Sequence, residues 1–183
     1  LGSSAQEEIE RIERQFRTYD QLIRDTNIDE AITYVDPRLF EFVNVELLKA
    51  SMKIASSVTF VKITTSEPNP KNYSSPKLID GVNYVRFENH VSLYMQMIPD
   101  STELAQTPEW RAEKAENMYR GFEAKFGKGN VDYDATSDTY TIRSIKIIIA
   151  SSDAEMTDWK FVVADNPRMK EILRKFIPEE LLY

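Results

Sequence analysis

The sequence predicts an α+β fold. Three observations carry the prediction. Apolar residues recur at helical spacing through the first part of the chain, strict alternation takes over after Ser57, and one strongly capped helical segment interrupts the alternating stretches. Sequential antiparallel strands following a helical block belong to the α+β class rather than to a doubly wound parallel sheet.

The first helix is marked by Ile9, Ile12, Phe16, Tyr19 and Ile23, which make one stripe, while Glu7, Glu8, Arg11, Glu13 and Arg14 fill the other face. A second helix is expected from about Asn27 to Val35 and ends at Asp36-Pro37, because proline disfavours the helical conformation in the residue before it. Pro37 suits the first turn of a new short helix capped by Asp36, and Asn44 caps another whose Leu47, Leu48, Met52 and Ala55 face inward. Val58 to Thr65 is rich in β-branched residues and reads as a strand. Glu67 to Pro76 holds three prolines and reads as a loop.

After the Asp80-Gly81 turn comes a long strand. Its Val85, Phe87, Val91, Leu93, Met95 and Met97 form the inward phase, with Asn89 the polar exception. Tyr84, Arg86, Glu88, His90, Ser92, Tyr94 and Gln96 form the outward phase. Thr107-Pro108-Glu109 starts the interrupting helix, whose stripe is Ala115, Met118, Tyr119, Phe122 and Phe126, and Gly127 ends it. Strands follow at Thr139 to Ala150 and Trp159 to Ala164. Ile145, Ile147 and Ile149 are expected on one face, with Lys146 and Ile148 opposite. Asn166-Pro167 opens a closing helix.

A chain of 183 residues can bury about two-thirds of its unfolded surface without covalent staples. With no cysteine, disulfides, thiolate metal sites and cysteine nucleophiles are excluded. A single histidine, His90, leaves no histidine-based metal cluster, so no metal and no cofactor is expected. The net charge of −7 argues against nucleic acid or an anionic membrane as partner, and no apolar run is long enough for a transmembrane segment. Ser3-Ser4-Ala5 before Gln6 has small residues where a signal peptidase reads, so Leu1–Ala5 reads as the tail of an export signal or a cloning remnant. The expected domain is 6–183, in an exported setting: periplasmic, cell-surface or secreted.

The candidate constellations are sparse. His90 sits beside Arg86, Glu88 and Ser92 on the outward phase, a solvated setting. Asp132, Asp134 and Asp138 offer oxygen ligands but lack the spacing of a calcium loop, and read as a turn. Trp159, between Met156 and Phe161, reads as core and is a candidate to line a pocket. Trp110, in the first turn of its helix, is expected half exposed.

Three stretches carry a resemblance. They are Asp36 to Val43 (DPRLFEFV), Phe126 to Asp134 (FGKGNVDYD), and Asp158 to Val162 (DWKFV) with the closing Ile177 to Leu181 (IPEEL). With the element order they resemble an uncharacterised group of exported bacterial proteins in the nuclear transport factor two-like, or cystatin-like, superfamily. The resemblance implies a cone-shaped, curved antiparallel sheet wrapped around the N-terminal helices, with an inserted helix between strands and a C-terminal helix. On activity the resemblance is silent; because the inward phase of the long strand carries no carboxylate, the expected function is a non-enzymatic domain that binds a small apolar or amphipathic ligand in the cone or a partner on the sheet. Two alternatives stay open: a cofactor-free lyase or isomerase drawing on groups such as Asp20 and Tyr34, and a structural module that forms a homodimer through its sheet face. Fold alone does not choose among them. Tyr19, Tyr34, Phe40, Phe87, Met95 and Trp159 are the candidate ligand-binding side chains.

Overall fold

A computed structural model of the chain describes residues 3–183; Leu1 and Gly2 of the small-residue start lie outside the described residues, as does the side chain of Ala55, expected to face inward. Helix α1 (Ser3–Arg24) takes in Ser3 to Ala5. It is followed by α2 (Ile28–Ala31), 3-10 turns at Ile32–Tyr34 and Pro37–Glu41, and α3 (Val45–Ser57). The strands are β1 (Val61–Thr65), β2 (Pro70–Lys71), β3 (Lys77–Ile79), β4 (Val82–Met97), β5 (Val131–Asp134), β6 (Thr139–Ser152) and β7 (Lys160–Val163). Between β4 and β5 in the chain come α4 (Ser101–Leu104) and α5 (Pro108–Phe126); α6 (Pro167–Leu173) and a 3-10 turn at Glu179–Leu181 close it. The strands form one open antiparallel sheet of order β1-β4-β6-β5, with β2 and β3 paired to β4 and β7 paired to β6. No described helix is long and apolar enough to cross a membrane.

The chain divides into two compact units. The first joins the described residues up to Lys53 with Pro68–His90 and Ile145–Tyr183; the second joins Ile54–Glu67 with Val91–Ser144. In the first unit the α1 stripe is buried as its spacing predicts, with Ile9, Ile12, Phe16 and Tyr19 in the interior. Phe16 meets the edges of Phe87 and Phe161 at centroid distances of 5.1 and 5.3 Å. Asp36 caps the 3-10 turn by accepting from the Arg38 N–H at 3.0 Å, and its own N–H donates to the Phe161 carbonyl at 3.3 Å. Asn89, the polar residue in an apolar phase, is buried because its Oδ1 accepts from the Asn69 N–H at 3.0 Å and seats β2 on the strand.

Several expectations are corrected. Tyr84, assigned to a solvated face, is only 2 % exposed. The guanidinium of Arg38 lies over its ring, and the Tyr84 hydroxyl accepts from Arg38 Nη1 at 2.8 Å. Ile148, Ile149 and Ala150 are buried in succession, so this part of the sheet is covered on both faces and alternation fails there, while Ile145 is exposed. Leu47 is 71 % exposed, since it lies a quarter-turn off the stripe that Leu48 and Met52 share. Glu8, expected on a charged helix face, is buried, with Arg11 Nη1 3.7 Å from its carboxylate. The segment that reads as loop contains β2, and β5 forms where the sequence predicts only a turn.

In the second unit β1 pairs with β4 from Val61↔Met97 to Thr65↔Leu93, and β5 pairs with β6 from Val131↔Ile142 to Asp134↔Thr139. The second register puts Val131 opposite Ile142 and Tyr133 opposite Tyr140. Helix α5 begins where the sequence says: the Thr107 side chain accepts from the Trp110 N–H at 3.2 Å, with proline in the first turn.

Candidate functional site

The predicted ligand-binding side chains do not share one place. Tyr19, Phe87 and Trp159 are buried in the core of the first unit, and Tyr34 and Phe40, partly buried, pack against that core. Tyr19 stacks on Phe161 at 5.8 Å and lies 6.3 Å from the Tyr34 ring. Burial pushes the Tyr19 hydroxyl well above the ordinary tyrosine range, with the Asp20 charge adding to it. Trp159 is fully enclosed and donates its indole N–H to Glu8 Oε1 at 2.5 Å, which explains why a carboxylate sits inside. Met95 belongs to the second unit, opposite Ile63 on β1.

Of the polar groups singled out in the sequence, Asp20, His90 and Glu88 are each bonded to a neighbouring side chain, and Tyr34 packs against the core. Asp20 accepts from Arg24 Nε at 2.8 Å. His90 Nε2 meets Glu88 Oε2 at 2.9 Å, and Glu88 also accepts from Asn72 Nδ2 at 2.7 Å. Those two bonds, the histidine's first, hold the Glu88 carboxyl below its usual range, away from neutrality. A second polar centre joins Asp36, Arg38, Ser151 and Tyr84. Asp36 Oδ2 accepts from Arg38 Nη2 at 2.6 Å and from Ser151 Oγ at 2.5 Å, and Arg38 Nη1 reaches the Phe176 carbonyl at 3.2 Å. Burial alone would raise the Asp36 pKa, but the bonds from Arg38 and Ser151 outweigh it and hold the carboxyl low. This centre ties the Pro37–Glu41 turn to β6 and to the C-terminal stretch.

Open space is found in the second unit. A cleft of about 920 Å³ lies between α5 and the β5–β6 hairpin, with Met97, Trp110, Met118, Tyr119, Tyr133 and Tyr140 among its walls. The hairpin register places Tyr133 and Tyr140 side by side, stacked at 4.6 Å. Phe122 of α5 meets the Tyr140 edge at 5.1 Å, and the Tyr140 hydroxyl donates to the Ala115 carbonyl at 3.1 Å, which ties helix to sheet. The Tyr133 hydroxyl donates to Asp138 Oδ1 at 2.9 Å; burial first, then this bond and the Asp138 charge, push it up to about 12. Burial raises the Tyr119 and Tyr140 hydroxyls as well, while Arg143 holds Asp132 low. Each of these shifts leads away from neutrality, so none of the four groups is set to exchange a proton near pH 7. Lys114 pairs with Glu103, and its ammonium lies 5.7 Å from the Trp110 ring centroid.

The three aspartates read as a turn are each engaged locally. Asp132 pairs with Arg143, Asp134 accepts from the Thr136 N–H at 2.9 Å and Ser137 Oγ at 2.8 Å, and Asp138 holds Tyr133. Among the described residues no His, Asp and Glu side chains gather in a group of three that could hold a metal ion. Sequence reasoning missed the cleft because it missed β5. The available signal was Val131 and Tyr133 alternating with aspartates, mirrored by Tyr140 and Ile142 across the turn. No protein-family model matches the chain, and neither does a curated protein or a solved structure.

Proposed function

We propose that this chain is a non-catalytic binding module that takes a small amphipathic ligand in the cleft between α5 and the β5–β6 hairpin. The observation that carries the reading is the cleft itself. Its volume of about 920 Å³ falls within the range of small-molecule sites, and its walls combine aromatic rings and methionines with a few fixed polar groups. Thioether side chains such as Met97 and Met118 adapt to varied apolar shapes. Trp110, 40 % exposed, offers an apolar face to an arriving ligand. We place the module within a nuclear transport factor two-like architecture with a cone-shaped sheet; helices preceding an antiparallel sheet support that placement.

The test is a titration with Nile red, a neutral apolar fluorophore. Saturable one-to-one binding is expected. The Ala112→Trp variant fills the cleft from an exposed position on α5, breaks no described side-chain hydrogen bond, and is expected to weaken binding at least about ten-fold. Unchanged binding by that variant, or none by the native chain, overturns the reading.

A further inference from the structure

The cleft already holds a cation. The Lys114 ammonium sits between the Trp110 ring and the Glu103 carboxylate, the pairing of ring quadrupole and negative charge that receives ammonium groups. The remaining lining acids differ from one another. Glu116 is paired with Arg120 and Asp132 with Arg143, whereas the described side-chain partner of Asp138 is the neutral hydroxyl of Tyr133. Asp138 is half-buried, and the Tyr133 ring beside it is stacked against Tyr140. A half-buried carboxylate with aromatic neighbours and no counter-cation among the described residues favours a positive guest, because the low local dielectric strengthens the attraction and water screens it poorly. The lining's other cation, Arg111, is exposed, where solvent screens its field.

Resting on the reading of the cleft as a ligand site, we infer that its ligand is an organic cation, a quaternary ammonium or protonated amine on an apolar body, received by Asp138 and the aromatic walls. The phenol bond from Tyr133 fixes Asp138 in place without neutralising it, so the carboxylate is held ready for the guest. The apolar body lies along Met97, whose N–H donates to the Asp138 carbonyl at 2.9 Å, and along Met118.

Three probes of one shape separate the terms: benzyltrimethylammonium, its neutral isostere neopentylbenzene, and the anion phenylmethanesulfonate. Dissociation constants are measured on the intact chain by calorimetry or by chemical-shift titration. The cation is expected to bind at least about ten-fold more tightly than the neutral isostere, and the anion most weakly. Asp138→Asn keeps an acceptor for Tyr133 and removes the charge; it is expected to bring the cation's affinity down to that of the isostere and leave the isostere unmoved. Should that variant fail to fold, Trp110→Leu replaces it, with a smaller loss expected for the cation. Equal binding of cation and isostere, or tighter binding of the anion, overturns the inference and leaves the cleft reading standing. Binding of none of the three, with Nile red also excluded, overturns both.

Discussion

Trp159 shows how a single residue serves packing and polarity together. Its ring is fully buried and its N–H satisfies the buried Glu8 carboxylate. Trp159→Ala is expected to cost about 3–5 kcal/mol through lost burial and the cavity left behind. Trp159→Phe keeps most of the volume but removes the indole donor from Glu8 Oε1, leaving the carboxylate with Arg11 Nη1 at 3.7 Å, at about 1–3 kcal/mol. Chemical denaturation measures both; a loss below about 1 kcal/mol for the alanine variant would contradict the packing described. Asp36 supplies a pH-dependent term. Its folded pKa lies below its unfolded value, so its stabilisation is present above the ordinary carboxylate range and is lost as pH falls through the folded value. Asp36→Asn is expected to lower stability at pH 7 and to flatten part of the decline below about pH 4. Equal acid slopes in the two proteins would contradict this. The burial of Trp159 was legible in the sequence from its apolar neighbours. That of Glu8 and Tyr84 was not, because each is buried by a partner far along the chain, Trp159 for the one and Arg38 with Phe176 for the other.

At the scale of elements, legibility follows the strength of local signals. Thr107-Pro108 and Asn166-Pro167 mark helix starts through cap and proline chemistry, and both side chains accept the expected N–H bonds. Strand β5 escaped because its aspartates are poor strand formers, and its existence rests on pairing with β6. The long strand β4 alternates as read through its Val85 and Phe87 phase, yet its first residues are buried on both sides. Helix α3 shows the limit of a stripe drawn from composition, since Leu47 points to solvent. Leu47→Ser is therefore expected to change stability by less than about 0.5 kcal/mol. A loss above about 1.5 kcal/mol in thermal or chemical unfolding would show that Leu47 is covered.

For the molecule as a whole, the class and the absence of cysteine chemistry could be read from the chain, and the cleft could not. A hydrophobic pattern reports which side chains leave water; it does not report where close packing stops. The predicted pocket residues Tyr19, Phe87 and Trp159 have the composition of a ligand site and fill one another's space, whereas Trp110, Tyr119, Tyr133 and Asp138 leave an opening. The net charge of −7 adds a field that draws cations toward the chain and repels polyanions. The two tryptophans fall on opposite sides of this distinction, one at the cleft and one in the core, so their indole N–H signals separate the two accounts. Chemical-shift mapping during a titration with benzyltrimethylammonium is the direct measurement. The Trp110 indole, with the amides of Met97, Tyr133 and Asp138, is predicted to shift with one common dissociation constant while the Trp159 indole stays fixed. Movement of the Trp159 indole together with the Tyr19 and Phe87 amides, with Trp110 still, would contradict the cleft as the ligand site.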